Sequence, residues 1–249
     1  MEIPETRHCS APADAAQLQF SPAMQLFSDH STRSRILLAA LRAFSTRGFE
    51  ATTLREITQS AGVNIAAIHY HFGSKEELIK AVVHAVAEPI NRRRREALAS
   101  IPRNRAPTLE EVVTALVAPP VLLSFEQTGE WRLFIRLLIQ MRAMPRESTN
   151  AAIFEQYDAL ASEFVEAMMR AEPVLHLREA YWRYAFAIGA MMYIVTDADE
   201  SYRRLHRLSG GLCDTDDAHE IVRQLVTFIT AGLRAPAPAS HAVSLGPEA

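Results

Sequence analysis

Residues 52–79 read TTLREITQSAGVNIAAIHYHFGSKEELI, two short helices about a tight turn, followed at once by the start of a longer helix. Thr53 with Glu56 and Ser74 with Glu77 place a hydroxyl three residues ahead of an acid, the spacing with which a capping box satisfies the free amides of a helix start. Between them Ala61-Gly62-Val63 ends the first helix at a residue tolerant of positive φ, and Asn64 is placed to cap the second. The second helix is expected over residues 65–72. At about 100° per residue Ile65, Ile68 and Phe72 share one face and should lock it to a core. Ala66, Ala67 and Tyr70 lie opposite, small enough to approach base edges and carrying one phenol for a phosphate or base. The segment is therefore expected to be a helix-turn-helix that enters a DNA major groove.

Outward from this motif the chain reads as helix. It has 249 residues, is 49% hydrophobic and carries only 9 glycines, with few alternating β-branched runs. An apolar stripe of Ile36, Leu37, Ala40, Leu41 and Phe44 predicts a first helix from near Ser31, ended by Gly48, with Arg33, Arg35 and Arg42 on its outer faces. A helix from Ser74 to about Ser100 buries Leu78, Val82, Val83 and Val86. Pro89 is placed to kink it, and the run Arg92–Arg95 reads as a solvated helix end, with direct DNA contact as the alternative. Its start carries Lys75, where backbone amides are suited to a phosphate. Ile101–Pro107 is a proline-punctuated loop. Beyond it helices are expected over about 108–124, 130–143, 148–170, 174–196 and 217–233, with Thr108 and Glu111 forming another capping box. Residues 199–216 read as an irregular or short-helical connection.

The ends have other character. Residues 1–28 mix Pro, Ala, Gln and Ser without a period and read as a flexible arm, and residues 235–249 as a disordered tail. The fold class is thus all-α, in two parts: a DNA-binding helix-turn-helix domain at 29–87 and a larger helical domain at 88–234.

Charge divides the same way. The chain totals −3, but residues 31–100 hold 11 Lys/Arg against 6 Asp/Glu, so the basic part coincides with the helix-turn-helix, as phosphate binding requires. Two cysteines, Cys9 and Cys213, are too few for a disulfide framework and fit a reducing cytoplasm. The most apolar run, Ala185 to Val195, is too short for a membrane helix, and no basic-then-apolar signal segment begins the chain. Nine histidines raise the question of a metal. His69 and His71, two apart on a helix, point away from each other, and no Cys-x-x-Cys or His-Glu-x-x-His spacing occurs. With no P-loop, nucleophile elbow or dinucleotide glycine pattern either, neither a cofactor, a metal nor an enzymatic activity is expected.

The run from Arg33 to about Ala85, with FSTRGFEATTLREI, AGVN and HYHFGSKEEL in order, resembles the DNA-binding domain of the TetR (tetracycline-repressor) family. Three positions depart from the usual pattern: Thr58 where alanine is commoner, Ile65 where Lys or Arg often sits, and His69 where tyrosine is usual. The resemblance implies operator contacts from Thr52, Thr53, Arg55, Asn64, Ala66, Ala67, His69, Tyr70, His71 and Lys75, and a homodimer through the last two large helices, with Gly189, Ile221, Leu225 and Phe228 in the seam. The second half, with WRLFIRLL and YWRYAFAIGAMM, more loosely resembles the fatty-acid-responsive PsrA-like group.

Aromatics and adaptable methionines crowd three of its helices and suit a pocket for an apolar ligand, and the PsrA-like resemblance implies that this effector is a long-chain fatty acid or acyl-CoA. The expected lining is Trp131, Phe134, Ile135, Leu138, Phe154, Tyr157, Phe164, Trp182, Phe186 and Met191. The function expected is a ligand-released transcriptional repressor. An activator of the same family, or an all-α enzyme or carrier in which the helix-turn-helix only packs, are the alternative readings.

Overall fold

A computed structural model describes residues 29–125, 130–145, 147–197 and 203–238, with only the backbone of Trp131 and Ser148. The regions expected to be a flexible arm and most of the expected tail lie outside these residues, as does the Trp131 side chain. Within them the chain is helical: α1 Thr32–Ala51, α2 Leu54–Ala61, α3 Ile65–Phe72, α4 Lys75–Ala99, α5 Leu109–Ser124, α6 Glu130–Ala143, α7 Glu147–Ala171, α8 Leu177–Asp197, α9 Arg204–Leu208 and α10 Ala218–Arg234.

Local chemistry sets most of these boundaries. Ser31, Thr53, Asn64, Ser74, Thr108 and Asp217 each accept a hydrogen bond from a first-turn amide of the helix they precede. Gly48, at φ 81° and ψ 167°, interrupts the helical backbone of α1 as expected. The Ser74 box forms only by half. Ser74 Oγ accepts from the Glu77 amide at 3.1 Å, but Glu77 turns its carboxylate to Lys80 Nζ at 2.7 Å.

Thr108 and Glu111 make the full box, and Arg105 pairs with the same carboxylate. The Arg105 hydrogen bond, then the Thr108 amide, pull the Glu111 pKa from 4.5 to about 2. A folded-state pKa below the unfolded one adds stability above the unfolded value, and that stability is lost as pH falls from about 4.5 to about 2. Because the group lies near solvent, the contribution should be about 1 kcal/mol, which is a few degrees in Tm for a chain of this size. Glu111→Gln should therefore melt lower at neutral pH, and the gap from the unsubstituted protein should close as the medium is acidified. A gap that persists at the lowest pH would place the effect in packing instead.

The core runs from α1 to α10 as one cluster of buried side chains. α5 lies at its centre, packed against α4, α7, α8 and α10, which is why it is apolar on nearly every side, with Val112, Val113, Leu116, Val117, Val121 and Leu123 fully buried. α4 passes unbroken across the division expected at residues 87 and 88. At one end it packs beside α1 and α3, and further along against α5 and α7. None of the described helices is long and apolar enough to cross a membrane.

Candidate nucleic-acid interface and interior cavity

The turn between α2 and α3 is held from both sides. Thr53 Oγ1 accepts from the Glu56 amide, and Glu56 accepts in return from the Thr53 amide at 2.8 Å, while Arg47 pairs with Glu56 at 2.6 Å. Gly62 takes φ +64°, the left-handed region that a Cβ disfavours. Arg35 donates to the Ala61 carbonyl at 3.0 and 2.7 Å and to that of Gly62 at 2.8 Å. Expected merely to project outward from α1, this guanidinium instead clamps the turn. Its sequence signal, an arginine one helix away, carried no partner.

Ile68 and Phe72, 0% and 9% exposed, pin α3 to the core, and Arg33 stacks over the Phe72 ring at 5.4 Å. Ile65 does not join them and is 45% exposed. It occupies the first helical position, a turn outward of Ile68, and the core lies only beneath the later part of this eight-residue helix. The outer face of α3 therefore presents Ile65, Ala66, His69 and Tyr70 to solvent, with Tyr70 86% exposed. Ala67 is half-buried against the core.

Flanking residues differ in what they offer. Arg55 is exposed on α2, and Asn64 spends its Oδ1 on capping α3. Thr52 is fully buried, its hydroxyl donating to Gly48 O at 2.8 Å and Ala43 O at 3.2 Å, so this side chain ties the end of α1 and is removed from the contact set. His69 Nδ1 lies 3.0 Å from Gly73 O, and His71 packs edge-on to Tyr70. Lys75 Nζ sits 4.3 Å over the Phe49 ring, near the Glu50 carbonyl. Among the described residues no group of His, Cys, Asp or Glu is arranged to hold a metal ion.

Further along α4 lies a cavity of about 290 Å³ between α4, α5, α6, α7 and α8. Of the residues expected to line it, Phe134, Ile135, Leu138, Phe154, Tyr157 and Met191 do. Phe164 is fully buried but belongs to solid core away from the cavity. Trp182 and Phe186 point the other way and are 58% and 63% exposed. Arg94, Tyr184 and Met192 are among the other residues of the wall and were not in the expected lining. Arg94 hid inside a four-arginine run, although it falls in phase with Val83, Val86, Ala87, Ile90 and Asn91, all buried on α4. Burial raises the phenol pKa values of Tyr157 and Tyr184, partly offset by the positive charge of Arg94 beside them.

α8 thus has two apolar faces. Ala187, Met191, Met192 and Val195 turn inward. On the other side Tyr181, Trp182, Phe186 and Tyr193 are exposed, with the Trp182 and Phe186 rings 5.8 Å apart, and Gly189 has open space where a Cβ would stand. α10 splits likewise. Ile221 and Leu225, expected in a dimer seam, are 3% and 6% exposed on the side by which α10 packs within its own chain, so they belong to the core, whereas Phe228 is 68% exposed. Periodicity found both stripes and could not say which was inward.

Residues 36–82 match the family of bacterial regulatory proteins of the tetR type, and residues 114–232 match a tetracyclin repressor-like C-terminal domain. The chain is 30% identical over 139 residues to the HTH-type transcriptional regulator UidR of Escherichia coli, an alignment covering 56% of this chain and 65% of that one. To the HTH-type transcriptional repressor KstR2 of Rhodococcus jostii it is 33% identical over 93 residues, or 37% of this chain and 45% of that one. In fold it is similar to the fatty acid degradation regulator FadR of Bacillus halodurans, with a TM-score of 0.57 at 17% identity over 82% of this chain and 97% of that one.

Proposed function

The chain belongs to the TetR family of bacterial regulatory proteins, and we propose on that premise that it is a homodimeric, operator-binding transcriptional repressor of the cytoplasm, released by a small apolar effector. One observation carries the reading: α3 is anchored by Ile68 and Phe72 while its opposite face, with Tyr70 and Ala66, stands clear of the protein. A surface helix so sparsely polar suits the floor of a major groove better than bulk water. The repressor sign is supported by KstR2, named as a repressor. A fatty acid as effector is supported by the apolar cavity and by the fold shared with a fatty acid degradation regulator.

α4 gives the proposal its coupling. Lys75 begins it beside α3, and Ile90 and Arg94 line the cavity, about 22 and 28 Å further along at 1.5 Å per residue. A ligand that favours one setting of this rod changes the spacing of the two recognition helices, and release needs only that difference in affinity.

The test is footprinting on DNA upstream of the chain's own gene over a range of salt. The unsubstituted protein should protect a palindromic site. Tyr70→Ala and Lys75→Ala should weaken binding, and loss of the Lys75 charge should lower the slope of log K against log salt by about 1. Folded variants with unchanged affinity and slope would remove α3 and the start of α4 from the interface.

A further inference from the structure

The cavity wall contains a buried cation without an anion. Arg94 is 3% exposed, and among the described residues no carboxylate lies within ion-pair distance of it. A charge held out of water is costly unless paired, and burial here works against the charged form, offset only by the neighbouring phenols. Its neighbours in the run do have acids: Arg92 bridges to Glu88 and Arg95 to Glu163.

What Arg94 has instead are two weak substitutes. Its Nε donates to the Leu116 carbonyl at 2.8 Å, and one Nη lies 3.5 Å from Met191 Sδ. The Leu116 carbonyl is free to accept because Pro120, four residues on in α5, has no N–H to return. A guanidinium has five donors in a fixed fork, so several remain on a residue that borders empty space. Tyr157 and Tyr184 stand beside it in the same wall, and no described residue hydrogen-bonds to either phenol. Three donors therefore line one cavity whose other described lining residues, Arg142 and Asp158 apart, are apolar.

Resting on the effector-cavity reading above, we infer that the ligand is an apolar monocarboxylate whose head is bound by Arg94, Tyr157 and Tyr184. Its tail lies among Phe134, Leu138, Met191 and Met192. One buried cation matches one negative charge, and the second arginine of the wall, Arg142, is exposed and shares the opening with Asp158. A planar carboxylate takes two parallel N–H bonds from such a fork. The volume is at the small end for ligand sites, which suits the free acid.

Calorimetry on the full chain with decanoate, methyl decanoate and decanol distinguishes these readings, since the three share a tail and differ in the head. The acid should bind roughly 10- to 100-fold more tightly than the ester or alcohol, the range of a charge-assisted hydrogen bond. Arg94→Met, close in volume and uncharged, should erase that preference. Tyr157→Phe and Tyr184→Phe should each narrow it, and they serve if the arginine variant does not fold. Equal binding of all three by the unsubstituted protein would overturn the carboxylate inference and leave an apolar effector cavity standing. Binding of none would remove the cavity reading and this inference with it.

Discussion

Phe186→Arg and Phe228→Arg should each yield a monomer that stays folded and loses operator affinity by roughly 100-fold or more, since one half-site then has no tethered partner. Both side chains are more than 60% exposed in the single chain, so the charge costs nothing there and is penalised only where a second copy would bury it. Ile221→Arg is the contrast. That residue is 3% exposed on the inner side of α10, and a charge placed there should unfold the chain. Sedimentation and thermal melting on the three variants separate the cases. A dimer that survives both phenylalanine substitutions would move the interface off the outer faces of α8 and α10.

Phe164→Ala should lower stability by about 3–5 kcal/mol, the usual cost of emptying a filled aromatic site, and Tm by about 6–20 °C. Phe134→Ala should cost about 2 kcal/mol less, because its ring already borders a void and loses fewer contacts on that side. Both rings are fully buried, so exposure alone predicts equal effects; only the cavity tells them apart. The Phe134 variant should also respond less to a carboxylate ligand, with operator affinity in its absence close to normal. Thermal melts with and without decanoate measure both quantities. Equal destabilisation together with an unaltered ligand response would mean that Phe134 is ordinary core.

Much of this molecule is written locally in its chain. Asn64 caps α3 and Thr108 caps α5 because a side-chain oxygen two or three residues from an orphan amide finds it whatever the rest of the protein does. Gly48 and Gly62 stop helices through their own backbone freedom. Such energies act over a few residues, which is why the helix-turn-helix and nearly every helix boundary are legible without coordinates.

Direction and partnership are not local. The sequence of α8 supplies two apolar faces, and which became cavity wall and which became exposed aromatic surface depended on where α6 and α10 came to lie beside it. Phe186 and Met191 look alike as hydrophobic residues on one helix, yet one is open to solvent and the other buried. Thr52, a polar residue next to a DNA-reading motif, was claimed inward by two carbonyls of α1. Arg94 differs from Arg92 and Arg95 only by its angle around α4 and by a carbonyl that a proline on another helix left open. Periodicity fixes the angle between two residues on one helix, whereas the direction that angle faces is set by packing between helices distant in the chain.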